Sequence, residues 1–314
     1  MKTVPLQRQL AVLTIAVMAT WMVVCLLLSR PMWALLLPMA LACFYAAALA
    51  AEFWLLRRIA GLNGASVPTI GTLAFALYRE YCAGIRVFCW QQPFRSQRHP
   101  DVLPSAATAT GQRGVVMVHG YLCNRGLWNR WLVTLRAAEI PFIAVDLQPT
   151  FASISDYAPS IEAAVVRLQE ATGLAPLLVA HSMGGLAVRY WWTQTTATRG
   201  IHLVTLGTPH RGTWLARWGF STNAREMRIG STWLADLERR ETTATALPVT
   251  CLFSVVDNVV FPHCCALLPR ASAQQMSPVG HIAMLDDPAA FQLVLNLLGE
   301  GAQLSTRCEA SHTH

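Results

Sequence analysis

Charge is what this 314-residue chain has least of: Asp, Glu, Lys and Arg make up 13% of it, where soluble domains carry roughly 25%. Lysine is nearly missing, Lys2 being the single one, so the net charge of +7 rests on scattered arginines. No basic block with interleaved aromatics occurs, and with it the usual footprint of a nucleic-acid binder is absent. The nine cysteines (25, 43, 82, 89, 123, 251, 264, 265 and 308) form no metal-ligand spacing such as C-x-x-C. An odd number cannot all pair internally, and free thiols fit a reducing compartment. No metal and no cofactor is implied. The apolar richness excludes disorder, and the lack of a collagen-like period or charge-rich heptads excludes fibrous classes.

What the chain has instead is apolar sequence, 54% hydrophobic, with a mean hydropathy of +0.39. Residues 1–56 hold only Lys2, Arg8, Arg30 and Glu52 as charges. Between them lie two uncharged stretches, 9–29 and 31–51, each about 31 Å long as a helix at ~1.5 Å per residue, which matches a hydrocarbon core of about 30 Å. Two transmembrane helices with a break at Ser29-Arg30-Pro31 are expected, and Trp33 and Trp54 stand near span ends, where indole favours the headgroups. A cleaved signal peptide is the rival reading of the first stretch, but its apolar run is long for one, and the second stretch would still anchor the chain. Lys2 and Arg8 before the hairpin and Arg57 and Arg58 after it outnumber Arg30 between the spans. The expected topology is therefore a multi-pass protein of a bacterial-type inner membrane with residues 57–314 in the cytoplasm.

Residues 57–112 read as a juxtamembrane and linker segment. Ile70, Leu73, Leu77 and Tyr81 recur at helical spacing, which predicts an amphipathic helix lying on the membrane or against the next domain. Gln91 to Gly114, with three prolines and the run SAATATG (105–111), reads as a boundary. From 113 to 300 short β-rich runs alternate with helical stretches, the pattern of an α/β domain whose mostly parallel sheet is covered on both faces. Strands are expected at VVMV (115–118), FIAVDL (142–147), PLLVA (176–180), IHLVTL (201–206) and PVTCLFSVV (248–256). Helices are expected around 128–138, from Pro159 to Gly173, at 184–192 and at 288–298, and a polar tail at 301–314.

The chemistry is expected at strand ends. AHSMGG (180–185) falls between a buried strand and a helix, the context of a nucleophile elbow. There Ser182 would occupy a sharp turn whose flanking positions must be nearly side-chainless, and Ala180 and Gly184 meet that need, one methyl away from G-x-S-x-G. By itself this pattern is also what a turn serine looks like. VVMVHGYLCN (115–124), TLGTPHRGT (205–213), SVVDNVVFP (254–262) and PVGHIAML (278–285) accompany it. Together these stretches resemble the bacterial lipases and esterases of the α/β-hydrolase superfamily over about residues 113–300, and over none of the membrane part.

The resemblance implies the α/β-hydrolase fold, ester-hydrolysing activity and the chain order serine, acid, histidine. A serine hydroxyl needs a histidine base oriented by a carboxylate. His281, after a glycine in a loop before the closing helix, is the expected base, with His263 as the alternative. Asp257, directly after the strand 248–256, is the expected acid, with an Asx-turn beside Asn258 as its plain structural reading. The oxyanion would be held by the backbone amides of Met183 and of Tyr121 or Leu122. His119 and His210 read as structural histidines lining the site, and Asp146 as a structural carboxylate.

The stretch 207–248 is too long for an ordinary connection and is expected to form a cap or lid, with Trp214, Leu215 and Trp218 either toward an acyl chain or a lipid surface or simply packing the cap on the core. The function expected is hydrolysis of carboxylic esters of apolar acyl groups through an acyl-enzyme on Ser182. Thioester hydrolysis or acyl transfer on the same triad remains open, as does a non-catalytic membrane scaffold. The partners expected are a lipid or apolar ester and the membrane, with no nucleic acid.

Overall fold

In the computed structural model, residues 3–62, 67–104, 111–195 and 200–311 are described, with side chains to residue 299. The chain opens with two long helices, α1 (Thr3–Leu27) and α3 (Leu36–Leu62), joined by the short α2 (Pro31–Ala34). Ser29 takes φ 54 at the break, and Pro31 starts the next helix. Both long segments are apolar and long enough to cross a membrane. They begin and end differently from the expected 9–29 and 31–51: α1 starts at Thr3, and α3 continues to Leu62.

That extension is not free. Gln7 Nε2 donates to the Leu122 carbonyl (2.8 Å) and to Gln92 Oε1 (2.8 Å), while Asn124 Nδ2 donates to Gln7 Oε1 (2.7 Å). Thr3 is buried, its hydroxyl 2.9 Å from that of Thr150. At the other end of the hairpin Phe53, Leu56 and Ile59 pack in one cluster with Leu73, Ala76, Val256 and Phe261. The hairpin thus meets the rest of the chain at both of its ends.

The segment after the hairpin is helical, with α4 (Ile70–Gly84), a π-helical run (Ile85–Gln91) and α5 (Gln92–Arg95). Of the two placements expected for α4, it takes the one against the next domain. Its buried face is shifted from the expected one, sharing Leu73 and leaving Leu77 and Tyr81 half-buried. Leu73, Ala76, Glu80, Ala83 and Gly84 turn inward, while Ile70 is 73% exposed. Small residues let α4 approach α3 closely, and the buried Glu80 is masked in a hydropathy pattern by its charge. Of the expected boundary SAATATG, residues 105–110 lie outside the described residues.

Six strands follow, β1 (Val115–Val118), β2 (Phe142–Val145), β3 (Leu177–His181), β4 (His202–Leu206), β5 (Val249–Phe253) and β6 (Ser272–Gln275), all parallel in the order β2-β1-β3-β4-β5-β6. The first five coincide with the expected runs, since buried parallel strands are continuously apolar. The exposed edge strand β6 carries no such signal. The helices α6 (Asn129–Ala137), α7 (Ala158–Thr172) and α8 (Met183–Trp192) connect them, α7 with its proline in the first turn and Gly173 at φ 73 just past its end. The core is split by the sheet into two layers: Val116, Val118, Leu178 and Ala180 face one, and Val115, Met117, Leu177 and Val179 the other. Strand order reverses between β1 and β3, and the crevice beyond the carboxyl ends of such strands is where open α/β sheets place ligands.

The stretch 207–248 folds into a 3-10 turn (Trp214–Trp218), α9 (Thr222–Glu226) and α10 (Thr232–Glu241). The closing helix α11 (Pro288–Ser311) runs past the expected end at 298 and takes in residues 301–311 of the polar tail; residues 312–314 lie outside the described residues.

Candidate active site

Ser182 sits between β3 and α8 at φ 54, ψ −129, a conformation an L-residue takes only where its surroundings enforce it. Its backbone is held by the Ser182 N–H to the Leu206 carbonyl (2.9 Å) and by Gly185 N–H to its own carbonyl (3.1 Å). Gly184 is demanded by space: a Cβ there would stand 2.5 Å from the Val118 carbonyl oxygen and 2.6 Å from that of His119. The β1 loop passes equally near, since a Cβ on Gly120 would meet Ser182 Cβ at 2.7 Å. Met183 opens α8, so its N–H belongs to the free amides of that helix end. Tyr121 and Leu122 follow Gly120, Leu122 at φ 56, with the Tyr121 hydroxyl 3.0 Å from Ser221 Oγ of the cap.

Asp257 follows β5 and His281 follows β6. The His281 Nδ1–H donates to the Asp257 carboxylate, 3.0 Å from each oxygen, in a pocket where Asp257 is 2% and His281 4% exposed. Asp257 Oδ1 also accepts the Val259 and Val260 N–H groups at 2.9 Å each, so the Asx-turn and the pairing with histidine are one arrangement. Burial disfavours the imidazolium, yet the Asp257 charge and hydrogen bond, with Glu80 and Glu52 behind, hold the His281 pKa above its ordinary 6.5. Ser182 is 6% exposed. Among the described residues its hydroxyl makes no hydrogen bond, and that leg of a triad commonly closes only with substrate present. The alternative His263 lies elsewhere, half-buried on a 3-10 turn and stacked on Phe253.

His119, His210 and His181 are each buried and hydrogen-bonded. Leu147 N–H donates to His119 Nε2 (3.0 Å), so His119 Nδ1–H donates to the Gly120 carbonyl (2.9 Å) and fixes the loop that carries Tyr121. Burial lowers its pKa. Asp146 accepts the Arg125 N–H (2.7 Å). His210 is buried against Thr205 Oγ1 (3.1 Å) and Arg189 and is held well below the usual imidazole range by burial. His181, which carries no sequence signal of its own, donates from Nε2 to the His281 carbonyl (3.1 Å), with the rings 4.6 Å apart.

The cap is pinned. Arg189 of α8, fully buried, makes a two-pronged ion pair with Glu241 of α10 (2.8 and 2.7 Å). Glu226 takes the Ser153 hydroxyl and the Ile154 N–H, both at 2.7 Å. Trp214 and Leu215 pack on the cluster holding Phe53, Leu56 and Phe261, and Trp218 is half-exposed, in edge contact with Trp214.

No protein-family profile and no curated protein sequence matches the chain. Solved structures do. The mature form of lipase BlEst2 from Bacillus licheniformis aligns over 63% of this chain and 95% of its own, at 17% identity and a TM-score of 0.54. Aspergillus fumigatus lipase B aligns over 66% of this chain but only 57% of its own, at 15% identity and a TM-score of 0.54, so the chain spans little more than half of that lipase. The fold is that of the α/β-hydrolases, preceded by two apolar helices.

Proposed function

We propose that the chain is a serine hydrolase that cleaves carboxylic esters of apolar acyl groups while held in a membrane by its N-terminal hairpin. The observation that carries this reading is the strained Ser182 at the head of α8, next in sequence to His181, whose ring lies 4.6 Å from that of the buried His281 paired with Asp257. His281 Nε2 takes the Ser182 proton as Oγ attacks the ester carbonyl, and then hands it to the leaving alcohol. Water, deprotonated by the same nitrogen, frees the acid. The Met183 amide and that of Tyr121 or Leu122 hold the oxyanion. The solved lipases that share the fold favour an ester substrate. Trp214 and Leu215 are occupied in packing against α3 and Phe261, so of the three cap residues the exposed Trp218 is the one left to meet an apolar acyl group.

Retention of α1 is supported by Thr3 and Gln7, whose hydrogen bonds reach the domain. A two-span hairpin with the enzyme on the cytoplasmic side agrees with Arg57 and Arg58 after the second span. A C-terminal alkaline phosphatase fusion active in the periplasm would refute that side. For the chemistry, a fluorophosphonate should label the wild type and not Ser182→Ala, and apolar oxygen esters should turn over faster than matched thioesters. Labelling that survives Ser182→Ala would overturn the assignment, and faster thioester turnover would move the substrate class.

A further inference from the structure

Three consecutive backbone amides in the histidine loop are each bound by a side chain from outside it. His281 N–H donates to Asn258 Oδ1 (3.0 Å), and Asn258 Nδ2 in turn donates to Glu52 Oε2 (2.6 Å). Ile282 N–H lies 3.0 Å from both oxygens of Glu80, and Ala283 N–H lies 2.9 Å from Glu80 Oε2. Gly280 makes room for both partners, since a Cβ there would stand 2.6 Å from Glu80 Oε2 and 2.9 Å from Asn258 Oδ1. Glu52 belongs to α3 and Glu80 to α4, about 200 residues away in sequence. Glu80 is only 3% exposed, and a carboxylate so deep is costly unless its partners repay it.

We propose that Glu80 and Glu52 are positioning residues for His281, so that the helices of the membrane hairpin and its following segment complete the active site rather than merely tethering it. The inference rests on the hydrolase reading above. Each amide held, by Glu80 directly or by Asn258 with Glu52 behind it, is one fewer freedom for the loop, and a base misplaced by about 1 Å can cost about 100-fold in rate. Their charges also face the imidazole, alongside Asp257 and His181. Tyr45 of α3 faces Glu80 from the other side. Burial pushes Glu80 up to about 7, so near neutral pH it is partly ionised.

The test uses the full chain in detergent micelles, a p-nitrophenyl ester, and Glu80→Gln, Glu80→Ala, Glu52→Gln and Glu52→Ala. The Glu80 variants should lose at least tenfold in kcat per folded molecule with KM within twofold, and their acid limb should move to lower pH as a negative charge leaves His281. Glu52→Gln, which keeps an oxygen for Asn258, should recover most of what Glu52→Ala loses. The position of the acid limb does not depend on how much protein folds, so it decides even if Glu80→Ala expresses poorly. Unchanged kcat per folded molecule with an unmoved limb would overturn the proposal. If the wild type hydrolyses no ester, the hydrolase reading fails by itself. The His281 titration, followed by nitrogen-15 resonances in wild type and Glu80→Gln, then still tests the coupling: a lower pKa in the variant supports it and equal pKa values refute it.

Discussion

Asp257→Asn keeps the shape of the side chain and changes one atom, and the structure dictates where that atom goes. Oδ1 accepts two backbone N–H groups, those of Val259 and Val260, so only an amide oxygen can stand there. The amide nitrogen must take the Oδ2 position, 3.0 Å from His281 Nδ1, and present a hydrogen to it. Because the amide oxygen at the Oδ1 position, also 3.0 Å from Nδ1, is already engaged by two N–H groups, the favoured tautomer carries its proton on Nε2, the nitrogen that should receive the Ser182 proton. A wrong tautomer of this kind costs about 10,000-fold in kcat, about 5 kcal/mol of barrier. Removing the charge also withdraws the main support for the imidazolium, so the acid limb of the residual activity should move down from its wild-type place above pH 6.5. Steady-state ester hydrolysis across about pH 5 to 9, with a thermal melt to confirm the fold, measures both. A variant that melts like wild type and retains kcat within tenfold would refute the reasoning, and would point to Glu80 or Glu52 as the orienting carboxylate.

Two further substitutions probe the surroundings. Glu241→Ala leaves the buried Arg189 guanidinium without its carboxylate and should cost about 3 kcal/mol in urea unfolding, toward the low end for a broken buried pair because Glu241 is partly exposed. A loss under 1 kcal/mol would mean that the cap is not held there. Gly207→Ala puts a Cβ at φ +55, 2.8 Å from Asp257 Oδ2 and 3.1 Å from His281 Nδ1. Its kcat should fall about 100-fold with KM little changed, and full activity would show that the pair tolerates displacement.

Much of this was legible in the sequence. Buried parallel strands announce themselves as runs such as VVMV, and the elbow at Ser182 is written in a short contiguous stretch whose small residues have a steric reason. The meeting of Asp257 and His281 was implied by the resemblance, with its order of serine, acid and histidine, since β6 between them left no trace in the sequence. Glu80 and Glu52 were not legible. Each bonds to a loop about 200 positions away, and a glutamate on a helix reads as a solvated one. The apolar series Ile70, Leu73, Leu77 and Tyr81 caught one side of the buried face of α4, through Leu73 and Leu77, but missed Ala76, Ala83 and Gly84, whose small side chains carry no hydropathy signal. His181 was hidden for a similar reason, since its partner is a backbone carbonyl that no pattern marks.

The hydrogen bonds of Thr3 and Gln7 also bear on modularity. An anchor that only tethers is an interchangeable part, and any apolar helix of the right length could be grafted in its place. Here the first two turns of α1 carry polar partners for Thr150, Gln92, Asn124 and the Leu122 carbonyl. A foreign span spliced in at residue 3 would leave those groups facing an apolar helix, next to the loop that carries Tyr121. A chimaera that preserves the enzyme must therefore exchange only the sequence beyond Gln7, which makes the first two turns of the helix part of the domain's inheritance and the remainder of it replaceable.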